Sequence, residues 1–320
     1  MAPVSAAVET FDIAIVGGGP AGLAAASAAA RLNRRVVCFE TGTPRTAHAP
    51  RYHNYLGFPD GLPGAELLRL GREQVEKWGV VFRDERVEAI EPLGEPGPDR
   101  FALQTTAGAV TCGGVVLATG IKDRQPTCGD LYAKTWAGVH YCVVCDGFEV
   151  RDARVAVIGH GEGAYEMLCL LHEFTPDLHL LLDGEPNAMP AAGQAELAKW
   201  GVAVVADQLT AYSCEDGAQQ LTFADGAARV YPHIFVALGA DPNTDLARAL
   251  GCALDENGYI ETDACQATSV PFVYSAGDCD GGHKQVTQAL AEGERAALEL
   301  VKRLRQIGDP VPGAGAPRPS

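Results

Sequence analysis

The sequence predicts an α/β protein containing two Rossmann-like units. Two segments predict it, "FDIAIVGGGPAGLAAASAAARLNRRVVCFE" and "RVAVIGHGEGAYEMLCLLHEFTPDLHLLLDG". Each runs from an apolar strand through a glycine turn into a helix, and on to a second strand that ends in an acid. A third observation is a matching pair of later runs, "GGVVLATG" (113–120) and "HIFVALG" (233–239), which read as buried strands entering glycine turns. The chain has 320 residues, enough for two domains, with 47% hydrophobic and 21% charged residues, a globular balance.

In the first segment the strand covers Ile13 to Val16 and the second strand Val36 to Phe39. Between them, Gly17-x-Gly19-x-x-Gly22 falls at the strand-to-helix turn. A dinucleotide needs that spacing there: Gly17 for the tight turn, Gly19 for close approach of a pyrophosphate, and Gly22 for helix–strand packing, with the helix N-terminus facing the phosphates. Glu40 follows, 18 residues after Gly22, placed to accept from a ribose hydroxyl. In the second segment Gly159-x-Gly161-x-x-Ala164 repeats the turn, about 140 residues on, and the strand from Leu178 to Leu182 ends in Asp183.

The remaining elements come in order. A loop "RYHNYLGFPDG" (51–61) precedes a helix around 64–78, with strands at 80–83 and 101–105. Near the end, "SVPFVYSAGDCDGG" is a strand running into Gly277-Asp278, and a helix follows from about 284 to 305. The Pro/Gly-rich tail, 309–320, reads as disordered.

Charge and composition exclude whole classes of partner. A formal charge of −16 repels nucleic-acid backbones and anionic lipid surfaces. The start "MAPVSAAVET" has no basic region followed by an apolar core, and no run approaches 18 apolar residues, so a soluble, cytoplasmic protein is expected. Ten cysteines lack the rhythm of a disulfide framework, and most are expected to be free core thiols.

One cysteine pair stands apart. "HYCVVCDG" places Cys142 and Cys145 three residues apart, with Asp146 directly behind. C-x-x-C serves zinc and redox sites alike, but a structural zinc site needs four ligands, and beyond His140 no second pair lies at a suitable spacing. No metal is expected; dithiol–disulfide chemistry is, with Asp146 as the proton carrier and His140 and His283 as alternative bases.

Taken in order, "GGGPAG", "GVHYCVVCDG", the second glycine loop and "SAGDCDGG…KQVTQALAEG" resemble the low-molecular-weight thioredoxin reductases and their relatives, over about residues 11–305. The resemblance implies two three-layer ββα domains of the FAD/NAD(P)-binding type. The FAD domain would be discontinuous, 1–119 plus 243–320, with a smaller domain, 120–242, inserted and carrying the cysteines. It also implies a homodimer. Carried over by residue, Gly17, Gly19, Pro20, Ala21, Gly22 and Glu40 would hold the ADP half of FAD. Asn54 would lie in a loop approaching the flavin, Asp278 would bind the ribityl chain, and Gln285 and Val286 would offer backbone N–H groups to the ring, with Val87 and Thr119 as further contacts. Cys145 would face the flavin and Cys142 the outside thiol.

The likeness weakens in the second domain. NADPH-dependent members carry a basic cluster after the second glycine loop, where this chain has "LLLDGEPNAMP". Between Arg154 and Arg229 the only Lys or Arg is Lys199, against eleven Asp and Glu, a formal charge of 1 − 11 = −10. An unpaired like-charge contact at about 4 Å costs around 4 kcal/mol at an effective dielectric of about 20, which disfavours NADPH. NADH stays open, since Asp183 suits a free ribose 2′-hydroxyl. The pattern resembles the family's FAD-dependent dithiol oxidases, which form disulfides in natural products such as gliotoxin, holomycin and romidepsin without NADPH. The expected substrate is then a small-molecule dithiol and the acceptor dioxygen. The alternatives are an NAD(P)H- or ferredoxin-dependent reductase of a thioredoxin-like protein, and a flavin redox sensor.

Overall fold

The apolar strand at the start continues outward to Glu9, and in this computed structural model, which describes residues 8–42, 44–94, 99–215 and 217–306, it is strand β1 (Glu9–Val16). Helix α1 (Pro20–Arg31) and β2 (Val36–Phe39) follow, then α2 (Gly64–Glu76), β3 (Val81–Arg83), β4 (Val87–Pro92), β5 (Phe101–Thr105) and β6 (Gly108–Leu117). The chain then passes through β7 (Ile121–Asp123), β8 (Val139–His140), α3 (Val143–Asp146), β9 (Val155–Gly159), α4 (Gly161–His172), β10 (Leu178–Leu181), α5 (Ala191–Lys199) and β11 (Ala203–Val205). A meander, β12 (Leu209–Glu215), β13 (Ala218–Phe223) and β14 (Ala228–Tyr231), leads to β15 (His233–Ala237), β16 (Ala240–Pro242), α6 (Asp245–Ala249), β17 (Val273–Ser275) and α7 (Val286–Gln306).

Two units result, one made of Met1–Ala47, Ala65–Lys122 and Pro242–Ser320, the other of His48–Gly64 and Asp123–Asp241. The segment 48–64, which the sequence reading assigned to the first domain, groups with the second. The strands at the two main crossings, β7 and β16, pair with each other. The expected tail, 309–320, lies outside the described residues.

The first unit holds a sheet in the order β3-β2-β1-β6-β5-β4, with β17 also on β6. Strands β3, β2, β1, β6 and β17 run parallel, while β4, β5 and β6 form an antiparallel meander. β1 is apolar on both faces because both are covered. Ile13 and Ile15 face the layer of α1 and α7, and Ala14 and Val16 face the side of Phe101, Leu103 and Ile260. The alanines of α1 serve a close helix contact: a Cβ on Gly293 of α7 would collide with the backbone carbonyl of Ala21.

In the second unit a parallel sheet, β11-β10-β9-β15-β8, separates two cores. Val155, Val157 and Leu180 pack with Leu168 and Leu171 of α4, whereas Ala156 and Ile158 pack with Leu209, Leu221 and Phe223 of the three-stranded meander. Each unit is therefore helices, parallel sheet and antiparallel strands in three layers, the α/β architecture expected. Among the described residues no helix is long and apolar enough to cross a membrane.

The Gly293 contact gives a first prediction. Gly293→Ala should lower stability by about 1–3 kcal/mol through overpacking against α1, read as a lower urea midpoint at unchanged slope.

Candidate functional site

The first unit's site residues come together because its parallel strands end level. Val16 is in register with Phe39 and with Leu117, and Leu117 with Ser275. Each strand's next residues thus emerge along one carboxyl edge, where open α/β sheets bind ligands. From β1 come Gly17, Gly19, Pro20, Ala21 and Gly22; from β2, Glu40; from β6, Thr119; from β17, Gly277 and Asp278.

The glycine loop is forced by sterics. Gly17 has φ +111°, and a Cβ there would run into the carbonyl oxygen of Ala118; a Cβ on Gly22 would strike the carbonyl of Gly17. In front of Gly19, by contrast, among the described residues only Pro44 Cβ approaches, at 4.0 Å, so the backbone there can be approached closely. Gly19 caps α1 and Pro20 occupies its first turn. Glu40 braces this loop: its Oε2 accepts from Gly18 N–H at 2.7 Å, and its Oε1 from Thr41 N–H at 2.8 Å and Gly42 N–H at 3.1 Å. These features fit the ADP half of FAD, with phosphates against the start of α1.

Asp278 stands beside Arg45 (Nη1 to Oδ2, 3.8 Å). Gln285 donates its N–H to the carbonyl of His283 at 2.7 Å in the turn that opens α7 at Val286, and both residues are half-buried. Thr119 is tied to the return crossing, donating from Oγ1 to Asn243 O at 2.6 Å. Val87 is buried at the start of β4, opposite Thr105. Asn54 is exposed in segment 48–64 and so belongs to the second unit.

Sequence reading missed the group that supports Asp278. Gly277 (φ +83°) donates its N–H to Glu292 Oε2 at 2.9 Å, and Glu292 is buried on α7, where Gln288 Nε2 donates to its Oε1 at 2.7 Å. Asp280 accepts from Gln266 Nε2 at 2.7 Å. Burial, then the Glu292 carboxylate, pushes the Asp280 carboxyl up from 3.8 to about 7.

In the second unit, β8 lies on β15 (Val139 with Ile234, His140 with Phe235) and delivers the chain to the cysteines. Cys142 and Cys145 form a disulfide, with Cα atoms 5.3 Å apart. Cys142 is the N-cap of α3: its Sγ accepts from Cys145 N–H at 3.1 Å, while Asp146 N–H donates to Cys142 O at 3.1 Å. Val143 is buried, Val144 exposed, and a side chain on Gly147 would clash with the Phe174 ring. Asp146 and His140 meet (Oδ2 to Nδ1, 3.3 Å), and His140 Nε2 lies 3.1 Å from His233 Nδ1. His140 stacks on Phe235, with ring centroids 4.7 Å apart. His283, the other base considered, is exposed on the first unit.

The other eight cysteines are free. Burial pushes up the thiols of Cys38, Cys112, Cys252 and Cys279, Cys112 to about 12, and that of half-buried Cys128 to about 11. These stay protonated and unreactive at neutral pH. Among the described residues no cluster of His, Cys, Asp or Glu is placed to hold a metal.

The second glycine loop keeps its shape, with Gly161 at φ +72°, but its acid is turned inward. Asp183 is buried with φ +56°. Its Oδ1 accepts from Thr127 Oγ1 at 2.5 Å and Leu209 N–H at 2.8 Å, and its Oδ2 from Thr127 N–H at 2.8 Å. Asp183, which by sequence suits a free ribose 2′-hydroxyl, is here engaged within the protein: the carboxylate joins the 127 loop to β12.

Two outcomes follow from these carboxylates. Asp183→Ala should cost about 3 kcal/mol of stability, because it strands two buried donors, measured by urea unfolding. Asp280 takes up a proton near pH 7 in the folded protein, but only near pH 4 when unfolded (about, from its ordinary value). The native state then binds more protons in that window, so stability falls as pH rises through it. Asp280→Asn should remove this loss, making the variant's gain in melting temperature larger at pH 8 than at pH 5.

Comparison with known proteins agrees with this geometry. Residues 11–293 match the family model described as pyridine nucleotide-disulphide oxidoreductase. A thioredoxin reductase of Streptomyces coelicolor is 29% identical over 314 residues, covering 94% of this chain and 96% of its own. Among solved structures, HlmI superposes with a TM-score of 0.85 at 29% identity, covering 93% of each chain. The thioredoxin reductase from Streptococcus pyogenes gives 0.85 at 27% identity, covering 93% of this chain and 99% of its own. The chain belongs to the pyridine nucleotide-disulphide oxidoreductase family, as a thioredoxin reductase-like, FAD-binding disulfide oxidoreductase.

Proposed function

We propose that the chain is an FAD-dependent dithiol oxidase, forming a disulfide in a small-molecule dithiol with the Cys142–Cys145 disulfide as immediate oxidant and dioxygen as final acceptor. Overall, R(SH)2 and O2 give the cyclic disulfide and H2O2. The observation that carries this reading is the second nucleotide-type unit. Its strand-end acid, Asp183, is bound to Thr127 and Leu209, and the stretch from Arg154 to Arg229 has Lys199 alone against eleven acids. A phosphate-rich nicotinamide dinucleotide finds little there to hold it.

FAD, when bound, supplies the two-electron acceptor that returns the cysteines to the disulfide. The chain's own residues handle the sulfur chemistry. One substrate thiolate attacks the Cys142–Cys145 bond, a cysteine leaves as thiolate, and the second substrate thiolate then displaces the other cysteine. Asp146, next in the chain to Cys145, carries the accompanying proton. Exposed Val144 leaves the loop between the cysteines open to a dithiol.

A second reading has its own support. The Streptomyces coelicolor relative is named a thioredoxin reductase, and the same cysteine pair can pass electrons from NAD(P)H to a thioredoxin-like protein.

Anaerobic titration of the purified protein with NADPH, NADH and dithiothreitol separates the two readings. Dithiol oxidation predicts flavin bleaching by dithiothreitol alone, recovery on admitting air, and no bleaching in Cys145→Ser. Rapid bleaching by either nicotinamide would overturn the oxidase reading in favour of the reductase.

A further inference from the structure

The aspartate behind the cysteines is the first member of a chain of titratable groups. Asp146 Oδ2 lies 3.3 Å from His140 Nδ1, and His140 Nε2 lies 3.1 Å from His233 Nδ1. All three sit on adjacent elements: α3, β8 and the first residue of β15. The His140 ring packs against Phe235 and His233, with centroids at 4.7 and 5.3 Å. The His140 side chain is 13% exposed and that of Asp146 26%, and both imidazoles belong to half-buried residues. The order of contacts from the cysteines is therefore carboxylate, inner imidazole, outer imidazole.

We infer that His140 and His233 form a proton relay between Asp146 and solvent, acting during thiol–disulfide exchange at Cys142–Cys145. Both contacts are satisfied together when His140 Nδ1–H donates to the Asp146 carboxylate and His233 Nδ1–H donates to His140 Nε2. In that arrangement the chain is loaded to deliver a proton inward. His140 passes its Nδ1 proton to Asp146, His233 passes its own to His140 Nε2, and solvent reprotonates His233 at Nε2. Asp146 can then protonate a departing cysteine thiolate. The reversed set of tautomers carries a proton outward when Asp146 has taken one from a thiol.

The exchange step balances without another reagent. The dithiol loses two electrons and two protons as its S–S bond forms, and the Cys142–Cys145 bond breaks to give two thiols. Protons reach the cysteine sulfurs through Asp146 and leave the substrate thiols by the same route or directly to solvent. Burial, with His140 adding to it, holds the His233 imidazole below its ordinary value, against an opposing pull from Asp146. A neutral outer imidazole keeps one nitrogen able to donate and the other to accept, as a relay requires.

This inference rests on the reading of Cys142–Cys145 as a thiol-exchanging pair, but not on the direction of electron flow. The test is single-turnover reaction of the anaerobic holoprotein with dithiothreitol, in which cysteine thiols trapped by alkylation and read by mass are added to the flavin bleached at the same time, so that electrons passed on to the flavin are counted in the exchange rate. His233→Asn keeps a polar atom near the Nδ1 position for His140 but has no second ring nitrogen. It should slow exchange by about 10- to 100-fold and change the solvent isotope effect, while added imidazole should restore most of the rate to His233→Ala. His233→Asn within about twofold of the unsubstituted protein, or no imidazole rescue of His233→Ala, would overturn the relay and leave His233 a packing residue. Failure of dithiothreitol to reduce the pair in the unsubstituted protein would instead sink the exchange reading, and the relay with it.

Discussion

The level ending of parallel strands is the constraint on which the first unit's site depends. Val16, Phe39, Leu117 and Ser275 share one register, so four separate stretches of sequence arrive at one edge. Hydrogen bonds extend that register one step beyond: Gly17 N–H donates to Phe39 O, Ala118 N–H to Val16 O, and Ala276 N–H to Leu117 O, at 2.8 to 3.0 Å. Side chains are excluded where these extensions crowd together, which is why glycine occupies 17 and 22. A one-residue slip in any strand would turn its apolar face outward and move its binding residue off the edge.

Much of this was legible because parallel strands buried on both faces leave a plain record in sequence. "DIAIVGGGPAG" is readable because strand, turn and helix each demand different residues within a few positions. The meander β12–β14 went unread although "EDGAQQ" and "FADGAA" carry the Asp-Gly signal of tight hairpins, as Gly217 and Gly226 at φ +80° and +85° illustrate. Glu292 was visible in the same sense. It falls on the apolar stripe of α7, with Ala289, Gly293 and Ala296, where a carboxylate must find a partner. What no local pattern carries is the partner's identity. That Glu292 receives Gly277, or that His140 meets His233 across 93 residues, depends on sheet pairing between distant strands.

The chain contains ten cysteines and uses environment to separate them. Cys38, Cys112 and Cys279 lie inside apolar layers where a thiolate is too costly to form. Cys142 and Cys145 sit at the start of α3, where a backbone N–H faces sulfur and a carboxylate–imidazole chain adjoins. Reactivity here is a property of place, set by which sulfurs have neighbours able to accept charge and move protons.

The inward turn of Asp183 has a consequence for how the second unit could change. Its carboxylate joins the 127 loop to β12, so the position that would greet a ribose is also a structural tie. Adding arginines to the neighbouring loop would supply charge but leave the acid committed elsewhere. Freeing it would first loosen the loop that leads towards the cysteines. Any path that redirects this acid is therefore uphill at its first step, and needs a compensating brace before the altered loop can be selected.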